Sequence, residues 1–204
     1  MVDTVCMSST SGAVDDTRTR IVAAGVALLD EEGIDAVGLR AIARRAGVSH
    51  GAPRRYFPTH RSLLAAIARE GLIDLGAAVR PALEADGDPR DRLRAAARAY
   101  VGLARSRRAM FELMFRHDIL DGAGGDLRGL SLPLLQALHA VVAAENDAQQ
   151  DAKPLWQNTI RLWSAIHGVA VLVANRALDP VAELTVIDVD DLLDSIVDTA
   201  LPQR

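Results

Sequence analysis

The chain has 204 residues, of which 50% are hydrophobic, 3% aromatic and 25% charged, with a formal net charge of −4. With so few aromatics the core must be built mostly from Ala, Leu and Val, which suits packed helices better than a β-sandwich. A single cysteine, Cys6, excludes both a disulfide framework and a cysteine-based zinc site.

Residues 1–15 read as a disordered, Ser/Thr-rich leader without the basic start and apolar run of a signal peptide. A first helix is expected from Asp16 or Thr17, either able to cap it, to Glu32, with Gly33 as its stop. Ile21, Ala24, Gly25, Leu28 and Leu29 make its buried stripe. Arg18 and Arg20 then fall in its first turn, unfavourably placed against the helix dipole unless a phosphate lies nearby; two solvated surface arginines are the plainer reading.

Leu39, Ile42, Ala43 and Ala46 recur at i, i+3, i+4 and i+7, the spacing of one helical face, which leaves Arg40, Arg44 and Arg45 on the other. Gly47 stands where a helix commonly ends in a left-handed conformation. Ser49 can accept a hydrogen bond at the start of the next helix, whose first turn is His50-Gly51-Ala52-Pro53 and whose second carries Arg54, Arg55, Tyr56 and Phe57. Two short helices about a tight turn form a helix-turn-helix whose second member can enter a major groove. On the pattern alone, an ordinary helical hairpin with a solvated basic face is the plainer reading. Charge is unevenly placed: residues 17–61 hold eight arginines against four acids, a balance of +4 that leaves −8 on the remainder, which suits a protein presenting one end to phosphates.

The block Ala43-Arg44-Arg45-Ala46-Gly47-Val48-Ser49, followed by Gly51, Tyr56-Phe57-Pro58 and Leu63-Leu64, resembles the DNA-binding domain of the tetracycline-repressor (TetR) family over about residues 18–76. The resemblance implies a DNA-binding set of Arg40, Ser49, His50, Gly51, Ala52, Arg54, Arg55, Tyr56 and His60, with His50, Gly51 and Ala52 toward the bases. Two positions depart from the family pattern. Arg54 replaces a Tyr that usually grips a phosphate, a contact that arginine can still make, and Gly38 replaces the Ser/Thr cap of the preceding helix.

Thr59 caps a long fourth helix, about 59–80, in which Leu63, Leu64, Ile67, Ala68, Leu72, Leu75 and Val79 keep a 3.6-residue period. Pro81 kinks or ends it. Asp88 caps a fifth helix with Pro89 in its first position, running to about Ser106. A short sixth helix spans 107–117 with Met110, Phe111, Met114 and Phe115 on it, a stripe that is either core or the wall of an apolar pocket. Residues 118–126 read as a mobile glycine-containing loop and 127–146 as a seventh helix. A polar connection covers 146–151. An eighth helix follows over about 154–178, and a ninth from its cap Asp188 to Leu201, with Pro180 preventing their fusion.

From Leu162 to Val173 the eighth helix is apolar nearly all round, so one face is expected on its own domain and the other on a second copy. Trp163, His167 and Gly168 resemble the Trp-His-Gly signature of one regulatory-domain subclass of the family, implying close helix approach at Gly168 and a Trp163/His167 stack. The candidate ligand-binding residues are Tyr100, Met110, Phe111, Met114, Phe115, Trp163 and His167.

No catalytic, cofactor or metal pattern emerges: Ser131 lacks the second glycine of a nucleophile elbow, and the five histidines are not at ligand spacing. The longest apolar stretch, 166–174, is far short of the ~20 residues of a membrane helix, so a soluble cytoplasmic protein is expected. The fold expected is all-α, about nine helices, with a leader (1–15), a three-helix helix-turn-helix domain (16–62) and a ligand-binding and dimerisation domain (63–204). The function expected is that of a ligand-responsive DNA-binding transcription regulator, a repressor in preference to an activator. It would bind a partly palindromic double-stranded operator as a homodimer formed through helices eight and nine, and a small apolar or amphipathic effector would release it. A dimeric helical module that contacts protein or RNA is the alternative.

Overall fold

The computed structural model describes residues 9–145, 152–186 and 188–201. Eleven α-helices and one 3-10 turn account for the regular structure among them: α1 (Ser9–Glu32), the 3-10 turn (Ile34–Ala36), α2 (Leu39–Ala46), α3 (Ala52–Tyr56), α4 (His60–Glu84), α5 (Pro89–Ser106), α6 (Arg108–Met114), α7 (His117–Leu120), α8 (Leu127–Ala144), α9 (Ala152–Ala174), α10 (Asp179–Ala182) and α11 (Val189–Ala200).

Three helix starts follow the local chemistry expected of them. Thr59 and Ser62 form a reciprocal capping box at α4, with Ser62 N–H donating to Thr59 Oγ1 at 3.0 Å and Thr59 N–H to Ser62 Oγ at 3.2 Å. Asp88 accepts from the Arg90 amide at 2.8 Å with Pro89 in the first turn of α5. Asp188 accepts from the amides of Asp190 and Asp191 at the start of α11. Gly47 closes α2 in the left-handed region at φ 63°.

Other boundaries differ from expectation. The first helix begins at Ser9, so Asp16 and Thr17 lie inside it and are not caps; nothing between Ser9 and Asp16 is a proline that would stop it. Pro81 is carried within α4, which continues to Glu84 because only its last turn loses a backbone hydrogen bond there. Part of the expected loop folds as α7, and α9 ends at Ala174, followed by the short α10. The short α7 and α10 account for the count exceeding nine. The polar connection 146–151 lies outside the described residues.

Packing places α4 at the centre. It contacts α1, α5, α6, α7 and α8; α9 lies across α5 and α8, and α11 covers α5 and α9. Two glycines permit the closest approaches. A Cβ on Gly25 would lie 2.5 Å from Ile67 Cδ1, and one on Gly71 would lie 2.6 Å from Met110 Sδ and 2.8 Å from Met114 Sδ. On the outer face Arg90, Arg94 and Arg98 of α5 ladder against Asp190, Asp194 and Asp198 of α11 at the same i, i+4, i+8 spacing, with Arg94 to Asp198 and Arg98 to Asp194 both at 2.6 Å.

With its ends set by the fold, α8 is long and apolar enough by composition to cross a bilayer, which the 166–174 stretch is not. Here its inner face packs on α4, α5 and α9 and lines a cavity.

Candidate functional site

The helix-turn-helix is built as the apolar spacing dictates, with Ile42, Ala43 and Ala46 of α2 buried and the helix packed on α1. The recognition helix is shorter than expected. Its regular part is Ala52–Tyr56 with Gly51 as N-cap, and His50 sits in the preceding turn. The Ser49 hydroxyl does not cap it; instead the Ala52 N–H donates to the Ser49 carbonyl at 2.9 Å, leaving the exposed side chain unused by the helix. Pro53 is buried near the helix start, where its missing N–H costs little. Tyr56 is half-buried against the core, while Gly51 and His50 are exposed. His60, exposed at the start of α4, donates its Nε2–H to the Val37 carbonyl at 2.6 Å and so ties the 3-10 turn to α4.

Tertiary structure divides the eight arginines of the head into two groups of four. Arg18 lies over the Phe57 ring at 5.2 Å. Arg20, which is not in a first turn, donates to the Ala46 carbonyl at 2.6 Å, a cation placed on the negative end of α2. Arg45 forks onto Glu31 through both terminal nitrogens. Arg61 donates to the carbonyls of Ile119 and Asp121 at 2.7 and 2.9 Å. The other four, Arg40, Arg44, Arg54 and Arg55, are exposed and make no hydrogen bond or ion pair with any described residue. They sit on α2 and α3, the two members of the helix-turn-helix. Arg44 was not among the candidate residues from sequence; its place one turn from Arg40 on the same polar face was the available signal.

The second site is a cavity of about 580 Å³ enclosed by α4, α5, α8 and α9 and the segment before α8. Tyr100, Met114, Phe115 and Trp163 line it. Met110 and Phe111 do not. Met110 is fully buried against Gly71, and Phe111 is a layer behind, edge-on to Tyr100 with ring centroids 5.6 Å apart. His167 opens onto a smaller cavity shared with Phe111 and Phe115. It stacks on Trp163 at 5.5 Å and 25°, as the one-turn spacing implies, and its Nδ1 lies 2.9 Å from the Tyr100 hydroxyl.

Burial pushes the Tyr100 phenol up, against the opposing pull of Trp163, and pushes the His167 imidazole below its usual value. Both shifts favour neutral groups, with the phenol donating to an unprotonated Nδ1. Sequence reasoning missed the opposite wall, Leu72, Leu75, Val79 and Leu83 of α4 and the leucines of α8. Gly168 would meet nothing within 4 Å of an added Cβ, so among the described residues there is no close approach at Gly168. Among the described residues no group of three or more His, Cys, Asp or Glu side chains could hold a metal ion.

Comparison with known proteins decides the family. The model described as "Bacterial regulatory proteins, tetR family" matches residues 21–67, and that described as "Tetracyclin repressor-like, C-terminal domain" matches residues 93–200, more than half of the chain. The chain belongs to the TetR family. Proteins of this family are DNA-binding transcription regulators, not enzymes. The second match includes Trp163, His167 and Gly168.

Among curated relatives, this TetR-family regulator is 31% identical over 104 residues to the HTH-type transcriptional activator FasR of Mycolicibacterium smegmatis, covering 51% of this chain and 48% of FasR. It is 40% identical over 82 residues to the HTH-type transcriptional regulator BetI of Yersinia pestis, covering 39% of this chain and 41% of BetI. The matches thus span about half the length of these relatives or less. A solved protein of unknown function from Rhodococcus sp. RHA1 is 30% identical, covers 92% of this chain and 96% of its own, and superposes with a TM-score of 0.74.

In this regulator the cavity and the head are physically joined. Arg61 holds the carbonyls of Ile119 and Asp121, beside the cavity-lining residues Leu120 and Gly122. Gly125 of the same loop packs on the backbone of α4, an added Cβ lying 3.1 Å from the Ala65 carbonyl. Arg107, at the α5–α6 junction, pairs with Asp30 of α1 at 2.6 Å and with Asp74 of α4.

Proposed function

We propose that the protein is a cytoplasmic, homodimeric repressor that binds a partly palindromic operator and is released by a small apolar or amphipathic effector. The division proposed is a head over 16–62, a ligand-binding and dimerisation domain over 63–204, and α4 as the link. The observation that carries the reading is the set of four exposed arginines on α2 and α3, cations without a partner among the described residues, on the two helices that would face a duplex. Arg40, Arg44, Arg54 and Arg55 would hold phosphates or a base edge, and Ser49, His50, Gly51 and Ala52 would approach the bases. Tyr56 and His60 would fix the helix-turn-helix against α4.

Dimerisation through α9 and α11 is supported by large apolar side chains that the described residues leave partly exposed: Ile160 and Leu172 on α9 are 41% and 42% exposed, on the helix that carries the open Gly168, and Leu192 on α11 is 37% exposed. Two heads related by such an interface would meet successive major grooves, roughly 34 Å apart. An effector filling the cavity would act on the loop held by Arg61 and favour a head spacing unsuited to DNA.

The test is selection of bound DNA from a random pool, followed by transcription from a promoter carrying the selected site. Recovery of a two-fold-related sequence that lowers transcription is expected. Raised transcription would assign an activator, the role in FasR's name, and recovery of no consensus would sink operator recognition.

A further inference from the structure

The polar and apolar walls of the cavity are segregated along its length. Gly125 lies against Ala65 and Leu134 lies 3.7 Å from where a Cβ on Gly76 would stand, so α8 runs beside α4 in the same direction. At one end the polar lining is His117, Asp121, Asp126, Arg128 and Ser131, from α7, the segment after it and the first turns of α8, and every one of these residues is exposed. At the other end the lining is Leu83, Leu93 and Leu138, all at least nine-tenths buried. Three positions before Leu93 on α5, Arg90 pairs with Glu145, just after α8, at 3.6 Å. The interior hydroxyl, on Tyr100, is already committed to His167. A ligand with polar atoms along its length would leave them unsatisfied among these apolar side chains, whereas one with its polar atoms at a single end would satisfy them at the mouth.

We propose, resting on the effector reading above, that this cavity takes a single-headed amphiphile with an unbranched alkyl tail, tail first, its head at the mouth formed by residues 117–131. Leu72 and Leu83 are eleven positions apart on α4, a span of about 16 Å, which accommodates a tail of about ten to twelve carbons.

The experiment titrates the full chain with n-alkyl carboxylates and n-alkanols of increasing length, below their micelle concentrations, and reads the change in tryptophan fluorescence, Trp163 lining the cavity and Trp156 standing outside its lining. Affinity should rise about fourfold per added methylene, the equivalent of about 0.8 kcal/mol per buried CH₂, and stop rising near the slot length. Ala97→Phe and, on the opposite wall, Val79→Phe should move that break to shorter tails, while Arg128→Ala at the mouth should leave it in place. Affinity independent of tail length overturns the assignment, as does a break that neither phenylalanine variant moves or no response to either series. These measurements use no DNA. Tail-dependent binding that leaves operator affinity unchanged would therefore sink the effector role and leave the assignment of the slot standing.

Discussion

Salt dependence gives the division of the head arginines a quantitative consequence. Each phosphate neutralised by a protein cation contributes about 0.9 to the negative slope of log K against log salt. Four arginines per head are unpaired, Arg40, Arg44, Arg54 and Arg55. Two heads therefore supply up to eight contacts and a slope of about −7, which amounts to about four orders of magnitude in affinity between 50 and 200 mM salt. Replacing any one of the four with Ala removes two contacts per dimer and flattens the slope by about 1.8. Arg20→Ala and Arg45→Ala should leave the slope nearly unchanged, because their guanidinium groups hold the end of α2 and Glu31, and should lower thermal stability instead. The assay is fluorescence anisotropy on a selected operator at several salt concentrations, with unfolding followed separately. Equal flattening by both groups, or none by the exposed four, would refute the division.

Gly71→Ala should destabilise the fold by about 1–3 kcal/mol, since its Cβ would be driven into Met110 and Met114, both buried; chemical denaturation reads this, and a neutral result would mean that the thioethers can move aside. Arg61→Ala should leave operator affinity without effector nearly intact but weaken the effector's influence on it by about tenfold, as a coupling residue and not a DNA contact would. Operator titrations with and without the tightest-binding alkyl probe decide this, and undiminished release would refute it. His167, lowered by burial, contributes stability that is fully present above its unfolded value near 6.5 and is lost as pH falls through its folded value. Melting temperature should therefore fall more steeply on acidification in the native protein than in His167→Phe; parallel curves would count against a neutral, buried imidazole.

Much of the fold was legible because it rests on local chemistry. The 3.6-residue spacing of Leu39 to Ala46, the left-handed Gly47, and the caps Thr59, Asp88 and Asp188 each act within one helical turn, and all stand where the sequence places them. What was not legible depends on partners far away in the chain. Arg20 and Arg54 are chemically alike and both exposed, and only the arrival of the Ala46 carbonyl, 26 residues on, takes one of them out of the unpaired set. Leu72, Leu75, Val79 and Leu83 carry the stripe expected of a packed helix, and nothing in that stripe distinguishes a leucine against a neighbour from one against a void. Met110 is the converse case. A thioether at helical spacing among aromatics suggested a pocket wall, but Gly71 across from it leaves room for close packing instead.

Sedimentation analysis of the protein alone and on a selected operator tests the central claim most directly. Two chains per duplex, with an even number of chains in free solution, are predicted from paired heads carried on a shared α9–α11 interface. A single chain in both conditions, binding all duplexes alike at moderate salt, would contradict it.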